Sequence, residues 1–179
     1  MKPHSPLNAE KHHLSGLLEA IQRCVYFLDA SSQTLQWPIS GSFLAQNKKD
    51  KELFEALAAI NERFAKLQDT LGAAMRHSLV LSGEQADSFI KVLAIFEKAG
   101  VVQSLEAWQI ARAARNLAAH DYETDYDLVA DHFNALYEQQ EMLYQTARAF
   151  VTYTQQVLSV SPLSADFSQE FDAITLSKT

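Results

Sequence analysis

The chain has 179 residues and a formal net charge of −7, enough for one domain with a packed core but little room for two. Hydrophobic residues make up 47% of it, with only five glycines and four prolines, which argues against disorder and favours helix throughout. The acidic balance excludes a broad basic surface that coats nucleic acid, and leaves room only for a local cationic site that holds a few phosphates.

The expected cellular compartment follows from the cysteine content and from the apolar segments of the sequence. With the single cysteine Cys24 no intrachain disulfide forms, and its place on an apolar stripe predicts an inert buried thiol. The segment from Met1 to Lys11 lacks the apolar core of a signal peptide, and no stretch approaches the ~20 apolar residues of a membrane span. We therefore expect a cytoplasmic protein without a membrane contact.

The first predicted helix begins near Asn8 and ends around residues 29–30. Its apolar residues recur in steps of three and four, the spacing of one buried stripe. Residues 31–50 then form a long connection, in which Pro38 and Gly41 interrupt any period and Trp37 and Phe43 are expected to hold it against the core. The stripe comprises Leu14, Leu17, Ile21, Cys24 and Leu28.

Two more helices follow before the central motif. A long one is predicted from about Asp50 to His77 by seven apolar residues in alternating steps of four and three: Leu53, Leu57, Ile60, Phe64, Leu67, Leu71 and Ala74. Ser82 with Gln85 has the spacing of a capping box, which predicts the start of a shorter helix that ends at Gly100. The core face of that helix comprises Phe89, Val92, Leu93 and Phe96.

A last long helix is predicted over residues 126–157, after the charged joint at 123–125, and keeps its phase through ten positions. Such three-four repeats pack helices at shallow angles. The sequence thus predicts an all-α fold, an antiparallel bundle of about five helices in one domain, residues 1–158. Residues 159–179 are expected to be a loose or partner-dependent extension. The repeat comprises Tyr126, Val129, Phe133, Leu136, Gln140, Leu143, Ala147, Phe150, Thr154 and Val157.

The segment from Arg115 to Tyr122 carries the chemistry, on a helix whose predicted cap is Ser104. Arginine is a permanent planar cation that grips phosphate oxygens, and histidine exchanges protons near neutral pH. The segment resembles the Arg-x4-His-x-Tyr signature of the HEPN superfamily, in particular HepT-like toxins paired with minimal nucleotidyltransferase antitoxins. The upstream residues 62–72, with Glu62-Arg63-Phe64 and Leu71-Gly72, are also similar, and the resemblance covers roughly residues 50–157.

The resemblance implies a HEPN-like bundle and metal-independent RNA cleavage without a cofactor. His120 would transfer a proton to or from the ribose or the leaving oxygen, Arg115 would neutralise the crowded phosphorane, and Asn116 would orient the imidazole or the substrate. Arg112 would be a further phosphate contact. Tyr122 matches the residue that the partner nucleotidyltransferase adenylylates, and added phosphate there would occlude the RNA site.

The helical projection of this segment predicts a homodimer. Trp108 and Arg112 fall within ~60° of Arg115 on a face turned away from the expected core face, which comprises Ile110, Ala114, Leu117 and Ala118. Aromatic and arginine residues are enriched at interfaces. Arg115 and His120 diverge by ~140° on an ideal helix, so a groove lined by two copies of the motif brings them onto one phosphate more easily. Trp108 as a core residue against the second helix is the alternative.

Ordinary structural roles remain open for the same residues. Arg115 with Asp121 or Glu123 makes a helix-end ion pair, His120 caps a carboxyl terminus, and Tyr122 packs. Two other classes of function also remain: a noncatalytic module that binds a nucleotide or substrate for a partner nucleotidyltransferase, and a structural interaction bundle.

No metal site is predicted. Histidines 4, 12 and 13 lack a completing cysteine or carboxylate, and the acidic residues 121–127 lack the glycine and terminal glutamate of a calcium loop. The Lys48-Lys49-Asp50-Lys51 cluster fits a solvated helix start better than a phosphate contact, and the same two alternatives apply to Arg76-His77.

Overall fold

A computed structural model of the protein describes residues 6–85, 87–117 and 124–176, and every regular element in these ranges is helical. The all-α prediction is confirmed. Seven α-helices lie within the described ranges, because two short helices join the five predicted ones. They are α1 Pro6–Ser32, α2 Gly41–Gln46, α3 Lys51–Leu81, α4 Phe89–Lys98, α5 Leu105–Leu117, α6 Tyr126–Tyr153 and α7 Ser168–Leu176.

The long helices α1, α3 and α6 supply most of the core. All seven residues of the predicted α3 stripe are buried, and so is the α6 repeat from Phe133 to Thr154. Val157 is 58% exposed, because a π-helical turn at Thr154–Leu158 shifts the phase before Ser159 ends the helix with φ 53°. In α1, Leu14, Ile21 and Leu28 are buried as predicted, whereas Leu17 and Cys24 are half-buried. Leu18 and Val25 are fully buried in their place.

The 31–50 connection is tied to α6 by Trp37 but not by Phe43. The Trp37 ring stacks on Tyr137 with centroids 4.4 Å apart, and its indole N–H donates to the Ser32 carbonyl at 2.8 Å. The prediction for Phe43 is wrong, since this side chain is 43% exposed. Ser40 caps α2 in a register that turns Leu44 inward instead.

The capping box at Ser82 is also wrong. Helix α3 continues to Leu81, so the Ser82 hydroxyl donates back to the Ser78 carbonyl at 3.1 Å and closes that helix. Ser88 caps α4 instead, accepting from the Lys91 N–H at 3.4 Å. The predicted stop at Gly100 is confirmed, with a left-handed φ of 73°.

The carboxy-terminal segment is folded over its described part, in place of the predicted loose extension. Phe171 on α7 is only 1% exposed and belongs to the main core, where α7 packs against α1 and α6. The backbone N–H groups of Leu163 and Ser164 donate to the Ser15 carbonyl and the Glu19 carboxylate, at 3.2 and 3.1 Å. This segment therefore supports the outer side of α1.

Two smaller expectations concern reactivity and membranes. Cys24 is half-buried, and burial raises the pKa of its thiol, which agrees with the predicted low reactivity. Across the described ranges, no helix combines the length and apolar character that crossing a membrane demands.

Candidate functional site

The motif helix α5 begins at a doubly capped end. The Ser104 hydroxyl accepts from the Ala107 N–H at 2.9 Å, as predicted, and the Glu97 carboxylate accepts from the Leu105 N–H at 3.0 Å. Gly100 ends α4 just upstream, so the chain reverses sharply and α5 packs against α3, α4 and α6. The motif arginines therefore project from a firmly placed helix.

Arg115 is held by α3. Its guanidinium donates to the Asp69 carboxylate at 2.6 Å and to the Ala65 carbonyl at 3.2 Å, and its side chain is only 19% exposed. The described ion-pair partner of Arg115 thus comes from another helix, whereas Asp121 and Glu123 lie outside the described residues. Because Asp69 is 65% exposed, the pair contributes only about 0–1 kcal/mol to stability.

The other predicted site residues fall into two groups. Arg112 is exposed one turn before Arg115, and Asn116 is exposed beside it. His120 and Tyr122 lie outside the described residues.

An open groove of about 550 Å³ runs beside the motif helix. Side chains from four helices line it. Three of its four formally charged side chains are cationic, Arg76 from α3 and both Arg112 and Arg115 from α5, against the carboxylate of Asp69. In a chain of net charge −7, this is a local concentration of positive charge. The groove therefore matches the expectation of a small cationic site in an acidic protein.

Two histidines stand at the α1 side of this groove. The rings of His13 and His77 meet edge to face with centroids 4.7 Å apart, and the His77 Nε2 lies 3.2 Å from the Glu10 carboxylate. Among the residues that the structure describes, no three histidine, cysteine, aspartate or glutamate side chains are placed to hold a metal ion. The groove thus carries ionisable side chains but no recognisable ligand set.

Aromatic side chains flank the groove. Trp108 is 2% exposed and packs against Phe89 with ring centroids 5.9 Å apart, so the core alternative for Trp108 is confirmed. The Arg76 guanidinium lies 4.9 Å from the Phe89 ring centroid. Gly72 allows this packing, because a Cβ there would come 3.1 Å from the Phe89 ring. Of the predicted core face of α5, Ala114 is buried as expected, whereas Ile110 is wrong because it is 49% exposed. The Leu117 side chain and Ala118 lie outside the described residues.

Sequence reasoning missed the part of the groove that α3 supplies. Asp69, Gly72 and Arg76 follow one another by three and four residues and so share one helical face. That spacing was available in the sequence. The pairing of this face with α5 was not, because it depends on how the two helices pack.

Comparison with known protein families, with curated proteins and with solved structures finds no match for this chain.

Proposed function

We propose that the protein is a metal-independent endoribonuclease of the HEPN type, the toxin of a toxin–antitoxin pair. The observation that carries this proposal is the groove, in which Arg112 and Arg115 of the motif helix and Arg76 of α3 face one open space. Guanidinium groups are the preferred partners of phosphate, and their convergence in an acidic chain favours an RNA backbone over a neutral ligand.

The chemistry divides among the motif residues. Arg115 stabilises the negative charge that develops on the phosphorane, and His120 transfers the proton at the ribose hydroxyl or the leaving oxygen. Asn116 orients the imidazole, and Arg112 holds the neighbouring phosphate. The contacts to Asp69 and Ala65 support this assignment, because they fix the Arg115 side chain before substrate arrives.

The active form in this proposal is a homodimer. Two motifs that meet across a two-fold axis bring an arginine and a histidine onto one phosphate, which one ideal helix does poorly. A nucleotidyltransferase antitoxin would restrain the enzyme by adenylylating Tyr122, since the added phosphate would occupy the cationic groove.

Cleavage of RNA by purified protein in excess chelator is the direct test. His120→Ala should abolish cleavage while leaving the melting temperature and the sedimentation of the dimer unchanged. His12→Ala is the matched control, because His12 is exposed on α1, and it should cleave normally. Full activity in His120→Ala would remove this histidine from the mechanism, and absence of any cleavage by the dimer would reject the proposed reaction.

A noncatalytic nucleotide-binding partner of a nucleotidyltransferase is the second candidate. The groove supports it as well, because Arg76, Arg112 and Arg115 suit the phosphate of a bound nucleotide whether or not a proton-transfer residue acts on that phosphate. Tight nucleotide binding without RNA turnover, and no growth inhibition on expression, would support this candidate over the toxin. Mass spectrometry after incubation with the nucleotidyltransferase of the neighbouring reading frame and ATP would show whether Tyr122 gains AMP.

A further inference from the structure

Gln68 lines the groove, and only one of its two amide atoms makes a hydrogen bond to a described residue. Its side chain is buried, with 2% of the residue exposed, and it lines the groove beside Asp69 and Trp108. The amide Nε2 donates to the Trp108 carbonyl at 3.1 Å. The amide Oε1 has no hydrogen-bond partner among the residues that the structure describes.

The orientation of this amide is fixed by its neighbour. The Trp108 carbonyl can only accept a hydrogen bond, so the nitrogen of Gln68 has to face it and the oxygen has to point elsewhere. Buried acceptors without a partner are rare in folded proteins, because such an atom has given up its hydrogen bonds to water without replacement. An unused acceptor at a groove indicates a donor on the ligand.

The cationic side chains narrow the class of ligand. The guanidinium groups of Arg112 and Arg115 attract phosphate, but ionised phosphate oxygens donate no hydrogen bond and cannot satisfy Gln68 Oε1. The ligand therefore carries a hydroxyl or amino group as well as a phosphate. Nucleotides offer both donors, in the ribose 2′-hydroxyl and the exocyclic amino group of the base.

We propose that Gln68 is a specificity-determining residue, whose Oε1 accepts a hydrogen bond from the sugar or base of a nucleotide held by its phosphate at Arg112 and Arg115. The inference rests on the proposed function for its substrate class, an RNA nucleotide. Beyond that function, the inference assigns recognition of the sugar or base, which the arginines do not contact, to Gln68.

Calorimetric titration of the full chain tests this with four probes: adenosine monophosphate, its 2′-deoxy form, purine riboside monophosphate without the amino group, and pyrophosphate. Gln68→Met keeps the side-chain length and removes the acceptor. We expect this substitution to lower the affinity for adenosine monophosphate about five- to tenfold and to leave the affinity for pyrophosphate unchanged. Wild type should also discriminate against one of the two analogues, which identifies the donor as hydroxyl or amino, and the variant should lose that discrimination.

Gln140→Met is the matched control. Gln140 is another glutamine buried to 1% exposure with an amide atom lacking a partner, its Nε2, but it lies outside the groove lining. This variant should bind all four probes like wild type, even if its melting temperature falls.

Three results would overturn the inference. The first is that the wild-type protein binds no nucleotide. The second is that Gln68→Met loses as much affinity for pyrophosphate as for adenosine monophosphate. The third is that the variant still discriminates between adenosine monophosphate and its analogues as the wild type does. The proposed function fails separately: a dimer that binds nucleotides through Gln68 but cleaves no RNA would reject the ribonuclease alone. RNA cleavage together with unchanged discrimination in Gln68→Met would reject only the role of Gln68.

Discussion

Replacing Phe171 with alanine decides whether the segment after α6 belongs to the fold. Its side chain is 1% exposed and lies in the main core where α7 meets α1, so Phe171→Ala removes a whole buried ring. Such truncations cost about 3–5 kcal/mol in free energy of unfolding. Each kcal/mol lowers the melting temperature of a domain this size by about 2–4 °C, so the expected fall is about 6–20 °C.

Urea and thermal unfolding, followed by circular dichroism, measure this loss. Leu163→Ala is the control from the same segment, because Leu163 is already 51% exposed and its truncation should cost about 1 kcal/mol or less. The reasoning is refuted if Phe171→Ala costs no more than the control. The segment would then be the loose extension that its sequence predicts.

Two further predictions concern α2 and the ion pair of the groove. Gly41→Ala should lower the free energy of unfolding by about 1–3 kcal/mol, because the added Cβ would lie 2.7 Å from the Asp127 Cα, and an unchanged urea midpoint would contradict this. Asp69→Asn should raise pyrophosphate affinity about two- to fivefold at low salt, since it leaves the Arg115 charge unopposed. Calorimetry at two salt concentrations should show the gain shrinking as salt rises, and weaker binding in the variant would contradict it.

The long helices were predictable because each repeats its apolar residues often enough to fix a phase. The α3 stripe has seven members, and all are buried as expected. Helix α7 has only nine residues, and its buried residues are Phe171 and Thr175. Two positions are too few to show a helical hydrophobic period in the sequence. The start of α4 was misplaced because Ser82 and Ser88 both suit a cap, and only the length of α3 decides between them.

Only the residues of the site that lie on the single helix α5 could be predicted from the sequence. Projection of α5 puts Arg112 and Arg115 on one face, and both do line the groove. The same projection placed Ile110 in the core, whereas the bulk of Trp108 turns α5 so that the tryptophan is buried. Asp69 as the partner of Arg115 lies 46 positions away along the chain, a contact that periodicity within a helix cannot reveal.

The support that α7 gives to α1 bears on protein synthesis. Helix α1 is translated well before α7, which packs against it, because α2 to α6 lie between the two in the chain. Because α1 also contributes His13 and Leu17 to the groove, we expect this wall to gain its full support only once α7 has left the exit tunnel.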